Sequence, residues 1–202
     1  ALDHMHQPRD AFKLLYQCFD AHCASVTSDQ AQWRIPRAML EAVRKQLGVV
    51  PNLFRLVANS PAALEGYLGM QGALAKGALQ APTRERIALA VAEINGCRYF
   101  LSAHTYLASK LAGLDDAEIA ANRAGGSRDA KADAAVRFAA AVARERGHVR
   151  PEDLAAVRAA GYDDAQIVEI VQHVALNTWT NYVNEVALTD IDFPVAPVRR
   201  AA

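Results

Sequence analysis

The chain has 202 residues, enough for one domain with a sizeable core or two small repeats sharing one. Its 22 basic and 22 acidic side chains cancel, which leaves no basic stripe for nucleic acid and no acidic tail to act as a solvating arm. The longest apolar runs, such as Ile87 to Ala92 and Phe138 to Ala143, fall far short of a membrane span; with no apolar signal-peptide core and three cysteines that make no disulfide framework, the cytoplasm is the expected compartment.

Residues 1–30 read as an N-terminal arm, and Ala1 to His4, ahead of Met5, as a remnant of expression. Phe12, Leu15, Tyr16 and Phe19 recur at helical spacing, which suits an arm packing on the body or on another subunit. Cys18, His22 and Cys23 match no zinc spacing, so no metal is expected there, although either thiol is a candidate to resolve an oxidised cysteine elsewhere. The remainder, residues 31–202, reads as one helical domain. Pro36 is expected to begin a helix through Leu47, stopped by Gly48, and a second runs from Leu53 to about Asn59. Ser60-Pro61 then supplies an N-cap with proline at the first position, launching a helix that carries Leu64, Leu68 and Leu74 and stops near Gly77.

The next stretch carries the chemistry. A helix from Pro82-Thr83 runs through Ile87, Leu89, Ala90, Val91 and Ile94 as an almost unbroken apolar surface, which marks it as buried. Asn95-Gly96 stops it, and Cys97 opens the following helix, which is expected to continue to Gly113. A cysteine at a helix N-terminus meets unpaired N–H groups and the positive end of the dipole, so its thiolate is favoured. His104 shares a face with Cys97 but lies two turns on, about 10.5 Å along the axis at roughly 1.5 Å per residue, and is better placed for position 100. Position 100 is phenylalanine, an inert ring where a connecting group would be expected.

Gly113-Leu114-Asp115-Asp116-Ala117-Glu118-Ile119 returns 48 residues later as Gly161-Tyr162-Asp163-Asp164-Ala165-Gln166-Ile167. Each copy is a glycine stop followed by a capping box, so the echo is either an internal helical repeat or convergence on the same capping chemistry. Between the copies, Ser127-Arg128-Asp129 opens a helix through Arg146 with Val136, Phe138, Ala140 and Val142 inward, and a short helix follows from Pro151 to Ala160. The long last helix, Asp163 to about Leu188, holds Glu169, His173, Asn177, Asn181 and Glu185 at four-residue steps. That run drifts by about 40° per step. It is either a solvated stripe or, in its middle, a set of substrate contacts beside Cys97. No segment reads as a strand, and glycine and proline fall at segment ends, so the expected fold is an all-α orthogonal helical bundle.

Glu85, Asn95-Gly96, Cys97, position 100 and His104, at their mutual spacing, resemble the alkyl hydroperoxidase D and carboxymuconolactone decarboxylase family. The wider likeness runs from about Pro36 to Pro194, takes in the VVPNLFRLVANSP run and Ile191-Asp192-Phe193-Pro194, and is similar to the subgroup of peroxidase-related enzymes. The resemblance implies an all-helical fold with two-fold architecture, assembly as a homo-oligomeric trimer or hexamer, and no cofactor. Antioxidant members carry Cys-x-x-Cys at the start of this helix, with a Glu and a His forming a proton relay to the second cysteine. Glu85, Cys97 and His104 match that pattern. Phe100 departs from it, and Tyr99 stands where some members have a second histidine.

Three functions follow as expectations. The Cys97 thiolate attacks a hydroperoxide, becomes a sulfenic acid and is reduced by an external thiol or dithiol, in a peroxidase altered by Phe100. Alternatively Glu85 and His104 move protons on a small lactone or organic acid, as in the decarboxylase branch, with Tyr99 and Phe100 as pocket walls and His173, Asn177 or Asn181 as polar contacts. The third is a non-catalytic ligand-binding oligomer.

Overall fold

A computed structural model describes residues 31–197, so the arm expected over residues 1–30, with Cys18, His22 and Cys23, lies outside the described residues. Those residues form nine α-helices and no strand. In chain order the helices are α1 (Ala31–Leu47), α2 (Asn52–Val57), α3 (Pro61–Leu74), α4 (Ala81–Ile94), α5 (Arg98–Lys110), α6 (Asp116–Arg123), α7 (Ala130–Arg144), α8 (Pro151–Ala159) and α9 (Asp164–Ala187). The all-α reading therefore holds. None of these helices is long and apolar enough to cross a membrane.

The first helix corrects one expectation, because α1 begins at Ala31 and takes Pro36 into its interior. A proline has no backbone N–H, so at this early position the helix forgoes one main-chain bond, to the Gln32 carbonyl, and continues. The backbone gathers into two compact units, one from the start of the described chain to Met70 together with Val183–Asp192, the other Gln71–Tyr182 with the tail from Phe193. In the first unit Leu56 packs with Ala187 and Val183, and the Phe54 and Tyr67 rings stand 5.4 Å apart. Asn52 ties the end of the unit in place, its backbone N–H donating to Asp192 and its side-chain amide to the Asp190 carbonyl. Ser60 caps α3 as expected, accepting from the Ala63 N–H.

The second unit is built around α4, which packs against α5, α6 and α7. Ile87 through Ala92 is buried without interruption. One face of that run joins Leu79, Phe138, Val157 and Ile170, and the other, through Leu89, joins Ala108, Leu114 and Ile119. Each large apolar side chain so buried contributes roughly 1.5–3 kcal/mol.

The two copies of the Gly-x-Asp-Asp echo are capped differently. At Asp163 the box is reciprocal: the Gln166 N–H donates to the Asp163 carboxylate and the Asp163 N–H to the Gln166 amide oxygen. At Asp115 only the first half forms, with the Glu118 N–H donating to Asp115. The Glu118 carboxylate turns inward and accepts from Arg86 Nε at 2.7 Å, Asn122 Nδ2, the Ser127 hydroxyl and the Arg128 N–H. Burial pushes this carboxyl upward, but the four hydrogen bonds outweigh it and hold its pKa at about 2. Glu118 is thus a buried anionic hub joining α4, α6 and the entry to α7.

Candidate active site

The site begins at the break between α4 and α5. Gly96 adopts φ of 68°, a left-handed conformation that glycine reaches without a Cβ penalty. Its N–H donates to the Glu93 carbonyl and the Cys97 N–H to that of Ala92, the paired bonds of a Schellman stop. Asn95 remains in the right-handed helical region, so Gly96 alone makes the turn. Cys97 is then the N-cap of α5, with extended backbone and its carbonyl accepting from the Leu101 N–H. Its side chain is fully buried, which withholds the sulfur from solvent. The helix it opens ends at Lys110, three residues before Gly113.

Glu85 projects from the second turn of α4 and His104 from the middle of α5, and His104 Nδ1 lies 2.7 Å from Glu85 Oε2. Nδ1 carries the proton and donates it to the carboxylate, so in the neutral ring Nε2 is the lone-pair nitrogen. The two side chains keep 15% and 23% exposure, so this pair, unlike Cys97, can be reached from solvent. Phe100, one turn before His104, packs its ring on the imidazole at 4.9 Å between centroids.

Tyr99 takes another direction. Its ring meets Phe193 edge-on at 5.8 Å, and Phe193 also contacts Tyr106. The tail continues along that side, where the Ala196 N–H donates to the Ser102 hydroxyl. At 100° per residue, Tyr99, Ser102 and Tyr106 lie on the side of α5 opposite to Phe100 and His104. Of the two expected pocket walls, Phe100 stands against the His104 ring of the Glu85–His104 pair and Tyr99 against the tail.

The middle of the polar run on α9 is buried, which overturns the solvated-stripe reading for His173, Asn177 and Asn181. Helical drift accounts for the ends: Glu169 is half-buried and Glu185 is exposed. His173 lies within electrostatic reach of Arg84, Glu85, His104 and Glu169; burial first, and then Arg84, lower its pKa to about 4, so the ring is neutral near neutral pH. Asn177 Nδ2 donates to the His173 carbonyl. Asn181 Oδ1 accepts from Asn95 Nδ2 at 2.9 Å, tying α9 to the break that presents Cys97. No group of three or more His, Cys, Asp or Glu among the described residues is arranged to hold a metal ion.

Residues 61–145 match the model of the carboxymuconolactone decarboxylase family. A peroxidase-related protein from Silicibacter sp. TM1040 superposes with a TM-score of 0.69 at 26% identity, covering 76% of this chain and 83% of its own. Over that segment and in its fold the chain is similar to the alkyl hydroperoxidase D and carboxymuconolactone decarboxylase family. The same fold appears in a peroxidase-related protein with an alkylhydroperoxidase AhpD core from Ralstonia eutropha JMP134, with a TM-score of 0.69, 21% identity, and 79% and 85% of the two chains covered. It appears again in a cysteine-to-alanine variant of the debrominase Bmp8 in complex with 2,3,4-tribromopyrrole, with a TM-score of 0.65, 18% identity, and 83% and 89% covered. No curated protein matches the chain in sequence.

Glu85, Cys97, Phe100 and His104 all fall inside the segment that matches this family, whereas His173, Asn177 and Asn181 lie beyond it. Sequence reasoning missed two residues that shape the site. Asn95 read only as a helix stop, and Glu169 only as one end of the polar run. Glu169 in fact accepts from the Ala78 and Leu79 N–H groups at 2.9 and 3.0 Å, fixing the approach to α4 one turn from His173. Gly77 was the available signal, since a Cβ there would stand 2.6 Å from the Glu169 carboxylate.

Proposed function

We propose that the protein is an acid–base enzyme acting on a small lactone or organic acid, with Glu85 and His104 moving the proton. The observation that carries this reading is the 2.7 Å contact between Glu85 and His104 Nδ1. A carboxylate on Nδ1 fixes the tautomer, leaves Nε2 as the base and stabilises the imidazolium formed once the proton is taken. Phe100 supplies an apolar wall on the same imidazole, suited to a small organic ring. The resemblance to the decarboxylase branch, which works without a cysteine pair, points the same way.

A second reading has its own support, because Cys97 caps the N-terminus of α5. There the thiolate attacks the peroxide oxygen, the O–O bond breaks, an alcohol leaves, and the sulfenic acid is reduced by two equivalents of an external thiol. Assembly as a trimer or hexamer, which the resemblance implies, has a candidate face in the exposed Val168, Val171, Tyr182 and Val186 of α9.

The experiment that separates the readings measures lactone turnover and hydroperoxide consumption for the unaltered protein, Glu85→Gln and Cys97→Ser. The acid–base reading expects lactone turnover that survives Cys97→Ser and is lost in Glu85→Gln. Hydroperoxide consumption lost in Cys97→Ser, with no lactone turnover, would establish the thiol reading instead.

A further inference from the structure

Pro194 and Pro197 keep the end of the described chain out of any helix, because each lacks an N–H and biases the residue before it toward extended backbone. Phe193–Pro197 is therefore a strap, and its three anchors all reach the elements that present the site. Phe193 sits between Tyr99 and Tyr106, its ring edge-on to Tyr99 at 5.8 Å and 6.2 Å from Tyr106. The Ala196 N–H donates to the Ser102 hydroxyl, and the Pro197 carbonyl accepts from Arg123 Nη1 at 2.9 Å. Arg123 is buried, and its Nε donates to Glu93, whose own carbonyl accepts the Gly96 N–H at the α4–α5 break. From Phe193 the rings continue inward. Tyr99 meets Phe100 at 6.1 Å, and Phe100 meets His104 at 4.9 Å. All four separations fall within the range of about 4.5–7 Å over which aromatic rings attract one another. Tyr99 and Phe100 are only 4% and 5% exposed, so each ring keeps its place by its neighbours rather than by solvent.

We propose that Phe193 is a positioning residue of the site, backing Tyr99 and Phe100 so that the His104 ring stays on Glu85. The 2.7 Å contact between His104 Nδ1 and Glu85 requires the imidazole to keep one orientation about its side-chain torsions. Two neighbours supply that constraint, Glu85 at the Nδ1 edge and the Phe100 ring beside it. Phe100 is backed by Tyr99, and Tyr99 by Phe193. Without the ring at position 193, Tyr99 gains room toward the tail and Phe100 follows it. The imidazole then turns more freely, Nδ1 spends less time on the carboxylate, and the Nε2–H tautomer becomes populated. Ser102 and Arg123 keep the strap seated, so the end of the described chain is tied to the orientation of the imidazole. The inference concerns the pair itself and holds whether it serves a lactone or a hydroperoxide, so its test needs no substrate.

The test labels the protein with 15N-histidine and follows the ring nitrogens of His104 by NMR at about pH 9, above the ordinary imidazole range. Their signals are assigned by disappearance in His104→Gln, and each variant is checked for helix content. In the unaltered protein the shifts should report the Nδ1–H tautomer. Phe193→Ala should lower the ratio of that tautomer to the Nε2–H form by about 2- to 10-fold, the range that one aromatic pair supplies. Phe193→Tyr, which keeps the ring, should hold the original ratio. Phe193→Leu, which keeps apolar bulk where the alanine variant fails to fold, should shift the ratio in the same direction. Val157→Ala opens a cavity in the cluster of Phe138 and Ile170, which contains none of these rings. It should lower the unfolding temperature and leave the ratio alone. An unchanged ratio in Phe193→Leu or folded Phe193→Ala, an equal fall in Phe193→Tyr, or the same fall in Val157→Ala would overturn the role of Phe193 while leaving the Glu85–His104 pair intact. Glu85→Leu removes the acceptor and should shift the ratio furthest of all. If it changes nothing, the pair itself fails, and the positioning role fails with it.

Discussion

Asn95 Nδ2 donates to Asn181 Oδ1 at 2.9 Å, across 86 residues of sequence, and so joins the turn that presents Cys97 to the helix that carries His173. Asn181 is completely buried, and its amide fixes the position of a turn whose backbone already depends on Gly96. Replacing Asn181 by alanine removes the acceptor that this pair gives the Asn95 amide, at an expected cost of about 1–3 kcal/mol. A double-mutant cycle with Asn95→Ala, read by denaturant unfolding, should give a coupling of about 1 kcal/mol. Strictly additive losses would show that the contact is incidental.

Acid should expose the Glu118 hub. Its carboxyl is held at about 2, against an ordinary value of 4.5. The folded form therefore favours the carboxylate, and the stabilisation is complete above pH 4.5 and disappears as pH falls toward 2. The amount involved is about 3 kcal/mol. Unfolding followed from about pH 6 to about pH 2 should show a decline in this window that Glu118→Gln flattens, with the variant already weaker at neutral pH.

His173 has the opposite charge type but the same sense with pH. The folded protein holds its pKa at about 4, below the ordinary 6.5, through burial and Arg84. Between those values the unfolded chain takes up a proton that the folded protein refuses, so stability is full above pH 6.5 and falls as pH drops toward 4. The loss is about 3 kcal/mol. His173→Gln should remove this segment of the pH profile while leaving the Glu118 segment at lower pH, and a profile unchanged by the substitution would contradict the neutral, buried ring.

Gly96 and Gly77 should fail for different reasons when changed to alanine. At Gly96 a Cβ meets nothing within 4 Å, so the cost is the left-handed backbone alone, about 1–2 kcal/mol. At Gly77 the Cβ would stand 2.6 Å from the Glu169 carboxylate, which swings away and loses its bonds to the Ala78 and Leu79 N–H groups. That loss is about 2 kcal/mol. In a Glu169→Ala background the Gly77 substitution should become nearly silent and the Gly96 substitution should keep its full effect.

What was legible in the sequence was local. Ser60 before Pro61, Pro82 near the start of α4 and Gly96 at the α4–α5 break are signals written within a few residues, and each stands where the capping rules put it. The resemblance placed Glu85 and His104 in one relay, and the structure brings them into contact. Periodicity, by contrast, separates the faces of a helix without saying which faces inward. On α9 the apolar Val168, Val171, Tyr182 and Val186 are exposed, while His173, Asn177, Thr180 and Asn181 are buried. Hydrophobicity alone picks out the buried Ile167, Ile170 and Val174 of that helix but not the polar side chains buried with them. Glu118 was hidden for a different reason, since its local pattern is an ordinary capping box and the partner that redirects its carboxylate, Arg86, lies 32 residues away.

The most direct test of the account is a double-mutant cycle on Glu85 and His104, with initial rates of lactone turnover measured for the unaltered protein, Glu85→Gln, His104→Gln and the double variant. Two groups acting as one base should each cost about 100-fold or more when removed singly, and the double variant should be little worse than either single one. Single variants that keep most of the rate, or losses that multiply in the double variant, would contradict a shared acid–base role for the pair.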